Sequence, residues 1–110
     1  MKLEIDGDAP SVLTSCNCTF CRRSGALTAY FSPSNVRVIA KPGSIHEYIW
    51  GDKCLAQVRC GNCGILSHWR SLDPKQTDRM GVNARLFENI DISKIRIRHF
   101  DGADTWKFLD

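Results

Sequence analysis

The 110-residue chain has no run approaching the ~20 apolar residues that a membrane-spanning helix requires. Its opening, Met1-Lys2-Leu3-Glu4-Ile5-Asp6, is short and mixed, without the apolar stretch of a signal peptide. The expectation is a cytoplasmic, reducing setting, where closely spaced cysteines more often serve metal binding or catalysis than disulfides. In an oxidising setting the six cysteines would pair in about 15 ways, and a disulfide framework would return. No Ser-His-Asp arrangement, phosphate loop or dinucleotide fingerprint can be picked out. A strongly basic stripe is also missing. The formal charge of +3 falls short of a typical nucleic-acid binder and suits a small anionic ligand equally well. No internal repeat, linker or low-complexity segment divides the chain, so one domain over residues 1–110 is expected.

The chain has ordinary apolar and charged fractions, 43% and 25%, so it is expected to fold. A chain this short buries only about two-thirds of its extended surface, so a metal staple would help. About ten short strand signals recur along it, the spacing of an all-β domain. They fall at residues 2–6, 11–16, 26–31, 36–39, 45–50, 54–59, 65–72, 79–87, 95–100 and 106–109. The second is read as the return of the first across the turn at 7–10. Residues 17–24 are read as one or two helical turns stopped by Gly25, and 89–93 as another turn.

Sulfur is what the chain has in excess. Cys16, Cys18 and Cys21 sit within six residues, followed at once by Arg22 and Arg23. Cys60-Gly61-Asn62-Cys63-Gly64 lies downstream, its glycines free to fold tightly around a metal. Zinc takes cysteine thiolates in tetrahedral geometry, and closely spaced pairs are its usual holders. Three ligands with an open fourth position are the arrangement of catalytic zinc. Three thiolates leave such a site with net charge −1, which Arg22 and Arg23 would offset while drawing in an anion. The plainer alternative is one closed structural site, in which two of the first three cysteines join Cys60 and Cys63. Cys54 is read as a small buried hydrophobe.

These motifs resemble the glutathione-dependent formaldehyde-activating enzyme family. The matching stretches are residues 16–25, 48–51, 60–64 and 81–85, and the tail Asp101-Gly102-Ala103-Asp104-Thr105-Trp106 is similar to that of some members. The resemblance implies a mostly β fold of coiled antiparallel sheets, related to zinc-ribbon-like β-tents, with one or two short helical turns. It implies one zinc on Cys16, Cys18 and Cys21, open to a substrate thiol, and a structural zinc on Cys60 and Cys63. The family's N-terminal Cys-x-Cys-Gly, which completes that second site, has no counterpart in Met1-Lys2-Leu3. One or two zincs are therefore expected. The implied activity is condensation of glutathione with formaldehyde, a carbon–sulfur lyase reaction. A non-catalytic zinc-stabilised β module that binds glutathione or a protein partner is the alternative.

Other residues weigh less. Asn83 and Arg85 would share one strand face and reach a carboxylate, with Asn83 a substrate-binding candidate beside Arg22 and Arg23. His68 is read as a packed framework residue, with metal ligation the lesser alternative. His46 and His99 have no partner nearby in sequence. Arg96 and Arg98 are read as a solvated stripe, and Trp50, Trp69 and Trp106 as core or interface.

Overall fold

The computed structural model describes residues 1–110. Nine strands dominate: β1 (Lys2–Ile5), β2 (Val12–Cys16), β3 (Thr28–Phe31), β4 (Val36–Ile39), β5 (Ile45–Ile49), β6 (Leu55–Cys60), β7 (Leu66–Ser71), β8 (Met80–Asn83) and β9 (Arg96–Phe100). One helix, α1 (Thr19–Ser24), and three 3-10 turns, Pro33–Asn35, Ala84–Leu86 and Ile92–Lys94, join them. No helix is long and apolar enough to cross a membrane. The expected mostly β fold is observed: two sheets, one short helix and isolated turns, of β-tent-like form. The chain divides into two compact units, which are taken in turn.

The first unit comprises Met1–Asp8 and Tyr30–Val82. In it β1 and β4 form a two-stranded antiparallel ribbon, registered from Lys2 opposite Ile39 to Ile5 opposite Val36. The expected hairpin of the first two strand signals is therefore not made. The alternation of Val36-Arg37-Val38-Ile39 matches that of β1, and a Glu4–Arg37 ion pair bridges the two strands. Strands β5, β6 and β7 follow in antiparallel order, with β8 beside β7. Alternation along β6 sends Ala56 and Val58 inward. Ser67, His68, Met80 and Val82 complete this core.

The tryptophans lie outside the buried core. Trp50 is 44% exposed, and Trp69 is half-buried, packed edge-on to Tyr30. Its indole lies over Gly81, where a Cβ would overlap it. The core is thus built from small and branched residues, with aromatic rings at its margin.

The second unit comprises Ala9–Ala29 and Asn83–Asp110. Its central strand is β2. Thr14 of β2 pairs antiparallel with Thr28 of β3, and β9 lies along the other edge of β2. That second pairing is parallel, from Val12 opposite Arg96 to Cys16 opposite Phe100. This is a parallel pair among the antiparallel strands that were expected. The long stretch between β2 and β9 supplies the crossover that a parallel pair needs. Leu13, Leu27, Ala29 and Ala84 form the core.

Three further expectations change. The strand read over 79–87 ends at Asn83, because the Asn83 side chain accepts a hydrogen bond from the Arg85 backbone N–H and turns the chain into a 3-10 turn. Residues 106–109 make only an isolated bridge, Phe108 opposite Phe100. Arg98 is half-buried rather than part of a solvated stripe: its guanidinium lies 3.8 Å from the Phe108 ring centroid and donates to the Asp110 carbonyl.

Candidate metal centre

The three clustered cysteines come from one continuous stretch. Cys16 ends β2, Cys18 is the N-cap of α1, and Cys21 lies inside the helix. The Cys18 sulfur accepts from the Cys21 backbone N–H at 3.3 Å, the capping bond usually made by a Ser or Asp oxygen. The Cys16 sulfur accepts from the Cys18 backbone N–H at 3.4 Å. Gly25 stops the helix in the left-handed region at φ 73°, returning its N–H to the Cys21 carbonyl. Local backbone geometry thus points three half-buried thiols at one another. Their sulfur atoms all lie within 4.8 Å of one another. Tetrahedral zinc with Zn–S near 2.3 Å separates its sulfurs by ~3.8 Å, so a small contraction brings all three onto one ion.

A second segment closes over this cluster. Asn17 donates through Nδ2 to Asp101 Oδ1 at 2.9 Å and accepts at Oδ1 from the Ala103 backbone N–H at 3.0 Å. The other Asp101 oxygen accepts from the Thr105 backbone N–H and hydroxyl. The loop so fixed lays Gly102 against the cysteine cluster. A Cβ at residue 102 would stand 2.6 Å from the Cys16 sulfur and 3.4 Å from the Cys18 Cβ. Only glycine fits there, and its N–H points at the Cys16 sulfur.

Hydrogen bonding sets the protonation of the group. The Cys21 thiol donates to Cys16, and with N–H donors from Cys18 and Gly102 it outweighs burial and draws the Cys16 thiol down to about 5. Cys21, as that donor and partly buried, is pushed up. The cluster already favours one thiolate.

The remaining predicted residues fall in several places. Arg22 and Arg23 are exposed on the last turn of α1, immediately after Cys21. Asn83 caps its turn, and Arg85 donates to the Gly25 carbonyl, fastening the end of α1. Cys60 and Cys63 form a separate pair in the first unit, where the Asn62 and Cys63 backbone N–H groups face the Cys60 sulfur and hold its thiol below the usual range. Cys54 is half-buried and hydrogen-bonded to Asp52. His68 is 4% exposed, and its Nδ1 lies 3.0 Å from the Ser67 hydroxyl. His46 lies beside Arg59, and His99 gains a partner eleven residues on, Asp110, at 2.7 Å. Sequence reading missed Asn17 and Gly102. The signal was present in the Asp101-Gly102 dipeptide, but its target lies more than 80 residues upstream.

The fold and the cluster define a small, mostly β protein with three cysteines able to hold one metal ion. The chain matches no family model and no curated protein. It is similar to a Rhodobacter sphaeroides protein of known crystal structure, with 26% identity and a TM-score of 0.70 over 86% of this chain and 89% of that one. That likeness agrees with the β-tent-like fold.

Proposed function

We propose that the protein is a zinc-dependent, carbon–sulfur lyase-like enzyme acting on a small anionic thiol adduct of the glutathione type. The observation that carries this reading is the convergence of Cys16, Cys18 and Cys21 with no fourth ligand in their group. Zinc bound there lowers the pKa of a thiol and polarises a carbonyl oxygen. The chain's own residues do the rest. The three cysteines hold the ion, with Gly102 N–H steadying the Cys16 sulfur. Arg22 and Arg23 offset the negative charge of the cluster and attract the carboxylates of the incoming thiol. In the reaction a C–S bond forms between thiol and aldehyde carbon, and the thiol proton passes to the carbonyl oxygen.

A second reading is a zinc-stabilised β module that binds glutathione or a protein partner without turnover. It is favoured by the engagement of Asp101, both of whose carboxylate oxygens accept hydrogen bonds, one from Asn17 and the other from Thr105.

Cobalt-substituted protein tests the first step common to both. Glutathione should shift the thiolate-to-cobalt absorption of the wild type, and an unchanged spectrum removes the open-site reading. Turnover of glutathione and formaldehyde above the spontaneous rate, abolished in Cys18→Ser, separates enzyme from module.

A further inference from the structure

We propose that Cys60 and Cys63 are a redox pair, which forms a reversible disulfide across its turn by exchange with a small-molecule disulfide. The backbone is fixed on both sides of the pair. Cys60 ends β6, and its backbone N–H donates to the Ile65 carbonyl at 3.0 Å. Gly64, at φ 78°, returns its N–H to the Cys60 carbonyl at 2.8 Å. Gly61 is pressed against the preceding turn: its N–H donates to the Ser44 carbonyl at 2.7 Å, and a Cβ there would stand 2.6 Å from that oxygen. A tight turn keeps its first and fourth residues within ~7 Å, and a disulfide bridges Cα atoms ~4.4–6.8 Å apart. The two thiols hydrogen-bond to each other across this turn, so side-chain rotation alone closes the bond.

The hydrogen bonds also divide the roles. The Cys63 thiol donates and the Cys60 sulfur accepts, and the backbone N–H groups of Asn62 and Cys63 face that same sulfur. These donors carry the charge of an attacking Cys60 and leave the proton on Cys63, as an attacking and a resolving cysteine require. Solvent reaches both: Cys60 is half-buried, and residues 61–65, Cys63 among them, are exposed. No group of three metal-ligating side chains includes either sulfur, and Cys54, before the start of β6, is engaged with Asp52. In the first step Cys60 loses its proton and attacks one sulfur of the small disulfide. That S–S bond breaks, and one half leaves as a thiolate that takes up a proton. In the second step Cys63 loses its proton and attacks the Cys60 sulfur, and the other half leaves and is protonated. The protein dithiol is oxidised by two electrons, and the small disulfide is reduced to two thiols.

This exchange is independent of what the Cys16 cluster does, and peptide mapping keeps the two apart. Reduced protein, with any bound metal left in place, would be equilibrated in mixtures of reduced and oxidised glutathione and quenched by alkylation. The wild type should lose two hydrogens within the 60–63 turn, and excess reduced glutathione should restore them. Cys63→Ser should stop at a single glutathione adduct on Cys60, because the resolving thiol is gone. Cys60→Ser should gain far less adduct on Cys63. A wild-type pair that stays reduced in the most oxidising mixture, as thiols held by a metal would, overturns the proposal. So does a disulfide that joins either cysteine to Cys54 or to the Cys16 cluster. Equal adducts in the two variants overturn the assignment of Cys60 as the attacking sulfur. The wild-type map decides the disulfide itself, whether or not either variant folds.

Discussion

The two cysteine motifs solve the same local problem with different numbers of sulfurs. Each follows a strand: Cys16 ends β2 and Cys60 ends β6. Each aims backbone N–H groups at the sulfur of its first cysteine, and each depends on a glycine whose Cβ would strike a neighbour at 2.6 Å. They differ in where the chain goes next. After Cys16 it enters α1, and the Cys18 cap and the first helical turn bring a third thiol into range. After Cys63 it leaves as β7, extended and with no further sulfur. Three sulfurs from one segment come within reach of a single metal ion. Cys60 and Cys63 supply only two, and no group of three forms around them.

The largest test of this contrast is ligand removal. Cys18→Ser keeps an oxygen to cap α1, so the helix survives and the loss reports ligation alone. Zinc affinity at the cluster should fall by more than the 10–100-fold typical of outer-shell changes, measured by chelator competition. Cys63→Ser and Cys54→Ser should leave that affinity unchanged. A fall with Cys63→Ser would mean that the two motifs share one ion.

Next in size is acid sensitivity originating in the unit that holds Cys60 and Cys63. Burial lowers His68 to about 4, against 6.5 when unhindered. Between these values the folded chain keeps a neutral ring while the unfolded chain binds a proton. Stability is therefore complete above pH 6.5 and falls as the pH drops toward 4, by up to about 3 kcal/mol. Urea melts in the presence of chelator, which takes metal release out of the profile, should show this slope. His68→Gln should flatten it, whatever its absolute stability.

The two glycines give a matched pair. Gly102→Ala and Gly61→Ala should each cost about 1–3 kcal/mol, as overpacking does, read from the same melts. Only Gly102→Ala should also weaken zinc at the cluster, because its neighbour is a ligand sulfur and that of Gly61 is a backbone oxygen. Equal effects on that zinc would erase the distinction. The smallest effect is expected from Asn17→Ala. It removes two exposed hydrogen bonds that hold the loop over Cys16, for a loss of about 1 kcal/mol. Faster amide exchange at Gly102 would be its direct signature.

Most strands were legible because period-two alternation is written locally, as in Val36–Ile39 and Arg96–Phe100. Their partners were not. A hairpin between the first two signals was the economical expectation, yet β1 joins β4, and β2 lies beside β9 in parallel. The resemblance named the tail around Asp101 without its purpose. Asn83 and Arg85 misled because an Asx turn and a strand end use the same residues.

What the sequence by itself determined is the cluster: the spacing of Cys16, Cys18 and Cys21, a cap position and Gly25 dictate a short helix that converges three sulfurs. These are interactions between neighbours, and neighbours are what a sequence displays. Tertiary structure alone decided that Gly102 closes over Cys16, that Asn17 and Asp101 hold it there, and that Asp110 meets His99. The first two depend on β9 lying beside β2 in one register, and all are contacts between side chains or backbone brought together by folding. Pairing of that kind is set by the competition among all strands for partners, which no single stretch of sequence records.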